Sequence, residues 1–208
     1  MTRKPLLIGL DNPHSHDPRH ALYPYPEHMS GGRIVKLIDD VTVDPYTMRM
    51  YLRDFRRTNI YPTRRAAEGR GRTKHDLDAF AQIIILADII DATDVVMFGQ
   101  RVVDAFNSMY EEELTWLNSL IVAGSPHRRF WALPHPSGRN YWYNDADNRR
   151  AAGELLAALR TGQDVRSHKE RIPEQYCVNC GQWMCGGTAC CDNPKAPQTK
   201  EDESCATT

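Results

Sequence analysis

The chain has 208 residues, of which 41% are hydrophobic and 25% are charged, and its formal net charge is −1. This composition is typical of a globular protein with one substantial domain and an appendage, and it excludes a uniformly basic, histone-like surface. The amino-terminal apolar run, residues 6–10, is too short for a signal peptide, and no stretch approaches the roughly 18 apolar residues that a membrane span needs. We therefore expect a soluble intracellular protein, cytoplasmic or nucleoid-associated, that contacts no membrane.

The first half of the chain predicts a strand, two helices and a second strand. The apolar run of residues 5–10 breaks into Asp11-Asn12-Pro13, as a buried strand does where it delivers a loop. After a loop rich in Pro and Tyr, residues 33–39 and 48–55 have helical patterns. Residues 58–61 then become extended and stop at a proline.

The second half predicts two more strands and further helices. Residues 77–90 are apolar around much of a helix, which suits packing against a sheet. The β-branched run at residues 94–99 predicts a strand that feeds a helix ending near Phe106. The remaining segments predict an amphipathic helix over residues 111–122, a strand over 129–133 and a closing helix over 144–160.

Strands that alternate with helices are typical of a mainly parallel sheet with helices on both faces. We therefore predict an α/β fold over residues 1–165, a three-layer α/β/α sandwich around a central, mainly parallel, four-stranded sheet. In such sheets the polar loops at the carboxyl ends of the strands form the functional edge. Three loops of this kind stand out, at residues 11–16, 59–62 and 135–140.

The segment from Arg53 to Lys74 holds eight basic residues against two acidic ones. This local excess of positive charge favours contact with a polyanion. A solvated, Arg-rich loop explains the same charge equally well.

All six cysteines lie within the last 32 residues of the chain. Because a disulfide framework would tie distant segments together, this local density favours a metal site, and we predict a Cys-rich metal-binding tail over residues 166–193. Four thiolates suit a structural zinc ion, with a 4Fe-4S cluster or redox-active thiols as alternatives. Residues 194–208 are polar enough to be disordered. The candidate ligands are Cys177, Cys180 and Cys185, with Cys190 or Cys191 as the fourth.

Four motifs occur in order over residues 5–160, each at a predicted strand end. They are Gly9-Leu10-Asp11-Asn12-Pro13, Thr58-Asn59-Ile60, a strand-Gly-helix unit at residues 95–106, and Leu133-Pro134-His135-Pro136-Ser137. Together they resemble the uracil-DNA glycosylase superfamily. The resemblance implies a monomeric, monofunctional DNA glycosylase that hydrolyses the N-glycosidic bond of a flipped uracil or 5-substituted pyrimidine and needs no cofactor for catalysis. The alternative is a catalytically weak or inactive DNA-binding module of the same fold that recognises a modified base.

The chemistry of N-glycosidic cleavage accounts for the residue types at two of these loops. Negative charge develops on the departing base, and His135 is the candidate donor to the base oxygen. The attacking water must be held by a carboxylate or an amide oxygen, for which Asp11 and Asn12 are the candidates. We favour Asn12, because the resemblance places the residue before Pro13 over the sugar. An amide orients water but takes no proton, whereas Asp11 would supply a general base.

The remaining candidates would hold the base and the DNA backbone. Asn59 corresponds to the superfamily residue that reads the base edge, and its amide supplies both a donor and an acceptor. Tyr25, or else Tyr23, would stack on the extruded base. In the superfamily a Tyr after the Pro excludes bulky 5-substituents. Here His14 follows Pro13, so a 5-substituted uracil is a candidate substrate.

The loop after His135 is expected to contact the backbone of the DNA. Ser137 and Gly138 would bind phosphate through a hydroxyl and a backbone N–H. Arg139, Asn140 or Tyr141 would fill the space that the flipped base leaves.

Overall fold

The computed structural model describes residues 4–11, 15, 17–61, 77–110, 113–122, 128–138, 140–163 and 165. All of them belong to the first of two compact units, residues 1–165. The predicted metal-binding tail and the polar residues after it lie outside the described residues, as does most of the basic segment from Arg53 to Lys74. Among the described helices, none combines the length and the apolar character needed to cross a membrane.

The fold is α/β, as predicted, and it is built on a mostly parallel sheet. The strands are β1 (Leu6–Gly9), β2 (Arg56–Asn59), β3 (Asp94–Phe98), β4 (Ser119–Val122) and β5 (Arg128–Leu133). Their order across the sheet is β2-β1-β3-β5-β4. Four neighbouring strands are parallel, and β4 pairs antiparallel with β5 at one edge.

The helices that connect the strands follow the predicted pattern closely. They are α1 (Ser30–Asp39), α2 (Met48–Asp54), α3 (Leu77–Ile90), α4 (Gln100–Asn107) and α5 (Ala146–Thr161). Thr47 caps α2 and Asp145 caps α5 by accepting hydrogen bonds from first-turn N–H groups. Gly162, with φ of 69°, ends α5 in the left-handed conformation that favours glycine.

The prediction of a helix over residues 111–122 and of a four-stranded sheet was wrong. The described residues of this segment form a bridge from Trp116 to Ala132 and then strand β4, which makes the sheet five-stranded. Leu117 has φ of 63°, a conformation that interrupts a right-handed helix. The apolar residues of β4 satisfy their backbone groups by pairing with β5, so tertiary pairing overrides the helical spacing of the sequence.

Alternate residues along the strands enter two separate hydrophobic clusters. Leu6 and Ile8 of β1 pack in one cluster with residues of α3 and α4. Leu7, between them, packs in the other cluster with residues of α1, α2 and α5. Since side chains alternate across a strand, these clusters show helices against both faces of the sheet and leave its carboxyl edge for the loops.

Candidate functional site

A cavity of about 650 Å³ lies at the carboxyl edge of the sheet. This volume falls within the roughly 300–1,000 Å³ typical of small-molecule sites. One side, here called the strand-end wall, consists of Gly9, Asp11, Asn59 and His135. The other side, here called the loop wall, consists of described residues between positions 15 and 31: Ser15, His20, Leu22, Tyr23, Tyr25, Pro26, His28, Met29, Ser30 and Gly31.

Parallel strands bring the residues of the strand-end wall together. Asp11 follows β1, Asn59 ends the adjacent strand β2, and His135 follows β5. Backbone pairing continues past β1 and β2, because the N–H groups of Ile60 and Tyr61 donate to the carbonyls of Gly9 and Leu10 at 3.0 and 2.9 Å. Three of the residues predicted to form the site therefore line the same cavity.

The backbone around His135 is braced by hydrogen bonds from several directions. Its carbonyl accepts from the backbone N–H of Ser137 at 2.8 Å and from Asn140 Nδ2 at 3.2 Å. The preceding carbonyl, that of Pro134, accepts from the Tyr143 hydroxyl at 2.7 Å. These bonds hold the main chain that carries the imidazole.

Burial lowers the pKa of the His135 imidazole from its ordinary value of 6.5, and the negative charge of Asp11 opposes part of that effect. The ring is therefore neutral at pH 7. Its Nε2 lies 3.5 Å from the hydroxyl oxygen of Ser30, a long contact. A neutral imidazole beside a carboxylate provides an N–H donor without bringing a positive charge of its own into the cavity.

Asn59 lines the cavity, and its side-chain oxygen is buried next to Gly9. Its Oδ1 has no hydrogen-bond partner among the described residues, and such an atom costs about 1–3 kcal/mol when left unpaired. A Cβ atom placed on Gly9 would lie 2.5 Å from that oxygen. The glycine of the first motif therefore makes room for the amide of the second.

The loop wall contributes aromatic rings that are open to solvent. Tyr25 is 69% exposed and Tyr23 is 37% exposed. The Tyr23 ring lies 5.5 Å from the His20 ring and 5.8 Å from the Arg57 guanidinium, centre to centre. Tyr25 makes no ring contact with the described residues, so its face is available to a ligand.

Several residues of the loop wall were not predicted from the sequence. Ser15 and His20 form a pair in which Nδ1 lies 2.8 Å from Oγ. Helix α1 begins three residues earlier than predicted, which places Ser30 and Gly31 in the cavity lining. A Cβ atom on Gly31 would overlap the carbonyl oxygens of Leu22 and Tyr23, and the Gly-Gly pair was the only sequence signal for this close approach.

Asn140, one of the residues predicted to fill the space of the flipped base, stabilises the loop after β5. The Asn140 amide donates to the His135 carbonyl and accepts from the backbone N–H of Trp142 at 3.1 Å. Ser137 is half-buried, whereas Gly138 and Tyr141 are exposed, Tyr141 by 83%. Of the two described candidates for filling the space of the flipped base, Asn140 and Tyr141, Tyr141 is the exposed one.

The other predicted site residues lie outside the described part of the chain. They are Asn12, Pro13, His14, Arg139, Cys177, Cys180, Cys185, Cys190 and Cys191. Within the described part, no group of three or more His, Cys, Asp or Glu side chains is placed to hold a metal ion.

No protein-family model matches the chain, and comparison with curated proteins finds no similar sequence. Function is therefore inferred from the residues of the cavity and from the motifs that they carry.

Proposed function

We propose that the protein is a monofunctional DNA glycosylase that hydrolyses the N-glycosidic bond of a flipped uracil or 5-substituted pyrimidine. One observation carries this proposal: a carboxylate, an amide and a neutral imidazole, Asp11, Asn59 and His135, line one cavity of about 650 Å³. These are the groups needed to hold water, read a base edge and donate to a departing base.

In the proposed reaction, His135 stabilises the leaving group. As the bond between sugar and base breaks, negative charge develops on a carbonyl oxygen of the pyrimidine. The neutral imidazole donates an N–H hydrogen bond to that oxygen, and the main chain that carries it is held by hydrogen bonds before the substrate arrives. A donor fixed in advance needs no reorganisation during the reaction.

Asp11 is the proposed group that orients water and accepts its proton. It lines the cavity, and its charge acts on His135, so both groups are near the same reacting centre. Asn12, the residue favoured from the motif, lies outside the described residues. A carboxylate at this place supplies the general base that an amide lacks.

Asn59 is the proposed reader of the base. Uracil presents an N–H donor at N3 beside an acceptor at O4, and an amide pairs with both at once. Asn59 lines the cavity, so its amide is the proposed partner for this edge of the base. Tyr25 would cover the ring face, since it is exposed at the rim of the cavity.

Two further expectations accompany this function. We propose that the described α/β unit is a three-layer α/β/α sandwich and that the cysteines of residues 166–193 hold one structural zinc ion. Elemental analysis of the purified full chain should find about one zinc per chain, and iron with a brown colour would contradict that assignment.

The test is an excision assay with fluorescent oligonucleotides. Oligonucleotides with one uracil, one hydroxymethyluracil or one thymine, single-stranded and paired, are incubated with the protein and then treated with alkali. We expect strand scission at uracil or at hydroxymethyluracil and none at thymine, the unmodified base. DNA affinity without scission at any base would indicate the non-catalytic binding module instead. If the protein showed no DNA affinity and no scission, both functions would be refuted.

A further inference from the structure

Arg33 lies beside the loop that carries His135, although it is not among the described residues that line the cavity. It occupies the first turn of α1, and its side chain is exposed. Its Nε–H donates to the backbone carbonyl of His28 at 2.9 Å. Its Nη1 and Nη2 make no hydrogen bond or ion pair with the described residues, so four N–H donors remain for a ligand.

The guanidinium of Arg33 lies directly against the backbone of Gly138. A Cβ atom placed on Gly138 would be 2.6 Å from Nη2 and 3.1 Å from both Cζ and Nη1. The glycine therefore leaves the space that the planar group occupies. The hydrogen bond to the His28 carbonyl and the packing on Gly138 therefore hold the Arg33 guanidinium between α1 and the loop after β5.

We propose that Arg33 binds a backbone phosphate of the nucleic acid, next to the flipped nucleotide. This inference rests on the proposed function, because the phosphate belongs to the same strand whose base enters the cavity. A guanidinium with both terminal nitrogens open matches two phosphate oxygens in a bidentate pair.

The surroundings of Arg33 favour an anion. The first-turn N–H groups of α1 carry partial positive charge, and no side chain caps them. Lys36, one turn further along α1, is exposed but has Asp40 as an ionic partner at 3.8 Å. Arg33, in contrast, has no carboxylate partner in the described part of the chain and keeps its full charge for a ligand.

The experiment measures how salt weakens DNA binding. The affinity of the full chain for a fluorescent DNA duplex that contains no uracil is measured by anisotropy over a range of salt concentrations. Arg33→Gln should lower affinity by about tenfold at low salt. It should also reduce the slope of log affinity against log salt by about 0.9, the value for one phosphate contact with duplex DNA. The loss should be similar for other sequences, because phosphate contacts do not depend on the bases.

Three variants serve as comparisons. Arg150→Gln removes the same charge from an exposed arginine of α5 that is paired with Asp147 at 2.8 Å, and it should keep the wild-type slope. Arg33→Lys keeps the charge and should retain most of the slope. Gly138→Ala would displace the Arg33 guanidinium and should reproduce part of the loss, with little further loss when combined with Arg33→Gln.

The possible outcomes separate this inference from the proposed function. Wild-type affinity and slope in a folded Arg33→Gln protein would overturn the phosphate site, even if uracil were still excised. If the wild-type protein neither bound DNA nor excised a base, both would fail. If Arg33→Gln did not fold, wild-type affinity in Gly138→Ala would overturn the phosphate site on its own.

Discussion

The two walls of the cavity are built in different ways. The strand-end wall consists of groups held by the sheet: Asn59 is part of β2, Asp11 follows β1 directly, and the main chain of His135 is fixed by hydrogen bonds. The loop wall presents exposed rings, of which Tyr25 is the most open. Under the proposed function, we expect the strand-end wall to carry the chemistry and the loop wall to cover the ligand.

The largest effect is expected from His135→Ala on the strand-end wall. Removal of the donor to the leaving group should lower single-turnover excision by on the order of 10² to 10³, with nearly unchanged DNA affinity. Asp11→Asn should have an effect of similar size if the carboxylate accepts the proton of water. Rates within twofold of wild type for both variants, with folding checked by thermal unfolding, would contradict the assignment of this wall.

Gly99→Ala tests whether the position of His135 depends on the close packing of Gly99 against it. Gly99 has φ of 97°, and an added Cβ would lie 3.2 Å from the Cβ of His135. We expect the free energy of unfolding to fall by about 1–3 kcal/mol, measured by urea denaturation, together with slower excision. Gly162→Ala is the matched control, because it also has positive φ, 69°, but nothing lies within 4 Å of the added atom. It should lose stability and keep its excision rate.

A smaller effect is expected from Tyr25→Ala on the loop wall. Loss of one stacking ring should weaken affinity for a uracil-containing strand by about tenfold, measured in the His135→Ala background so that the substrate remains intact. Tyr25→Phe keeps the ring and should retain wild-type affinity. If Tyr25→Ala slowed excision as much as His135→Ala does, at saturating DNA, Tyr25 would take part in the chemical step and the two walls would not differ in role.

The smallest effect concerns stability and pH. The pKa of His135 is lower in the folded protein than its unfolded value of 6.5, so the unfolded chain binds the proton more readily. Stability should therefore fall as pH decreases from above 6.5 through the lowered pKa of the folded protein. His135→Gln should lose less thermal stability than wild type between pH 7.5 and pH 5, and equal losses would mean that the imidazole is not buried as described.

Much of the strand-end wall could be predicted from the sequence. A short apolar run that ends in polar residues identifies a strand end, and parallel strands bring such ends to one edge. This reasoning placed Asp11, Asn59 and His135 together, and the structure places all three in one cavity. Helix α3, Leu77–Ile90, likewise matches the predicted helix because its apolar residues extend over four turns.

The surface beside the cavity and the sheet edge could not be predicted in the same way. The contact between Arg33 and Gly138 joins residues 105 positions apart, and no local pattern encodes such a contact. Strand β4 has helix-like spacing in the sequence, and only its pairing with β5 and the positive φ of Leu117 make it a strand. Propensity describes a segment by itself, whereas these features depend on what packs against it.

The unpaired oxygen of Asn59 has a consequence for the folded state as a whole. Among the described residues this buried acceptor has no donor, and an unpaired acceptor of this kind makes the ligand-free protein less stable than its packing alone would allow. A small molecule whose N–H reaches that oxygen restores the missing bond and binds the folded chain in preference to the unfolded one. Resistance to heat would then rise with the concentration of a matching free base, and the melting temperature would rank ligands without any cleavage of DNA.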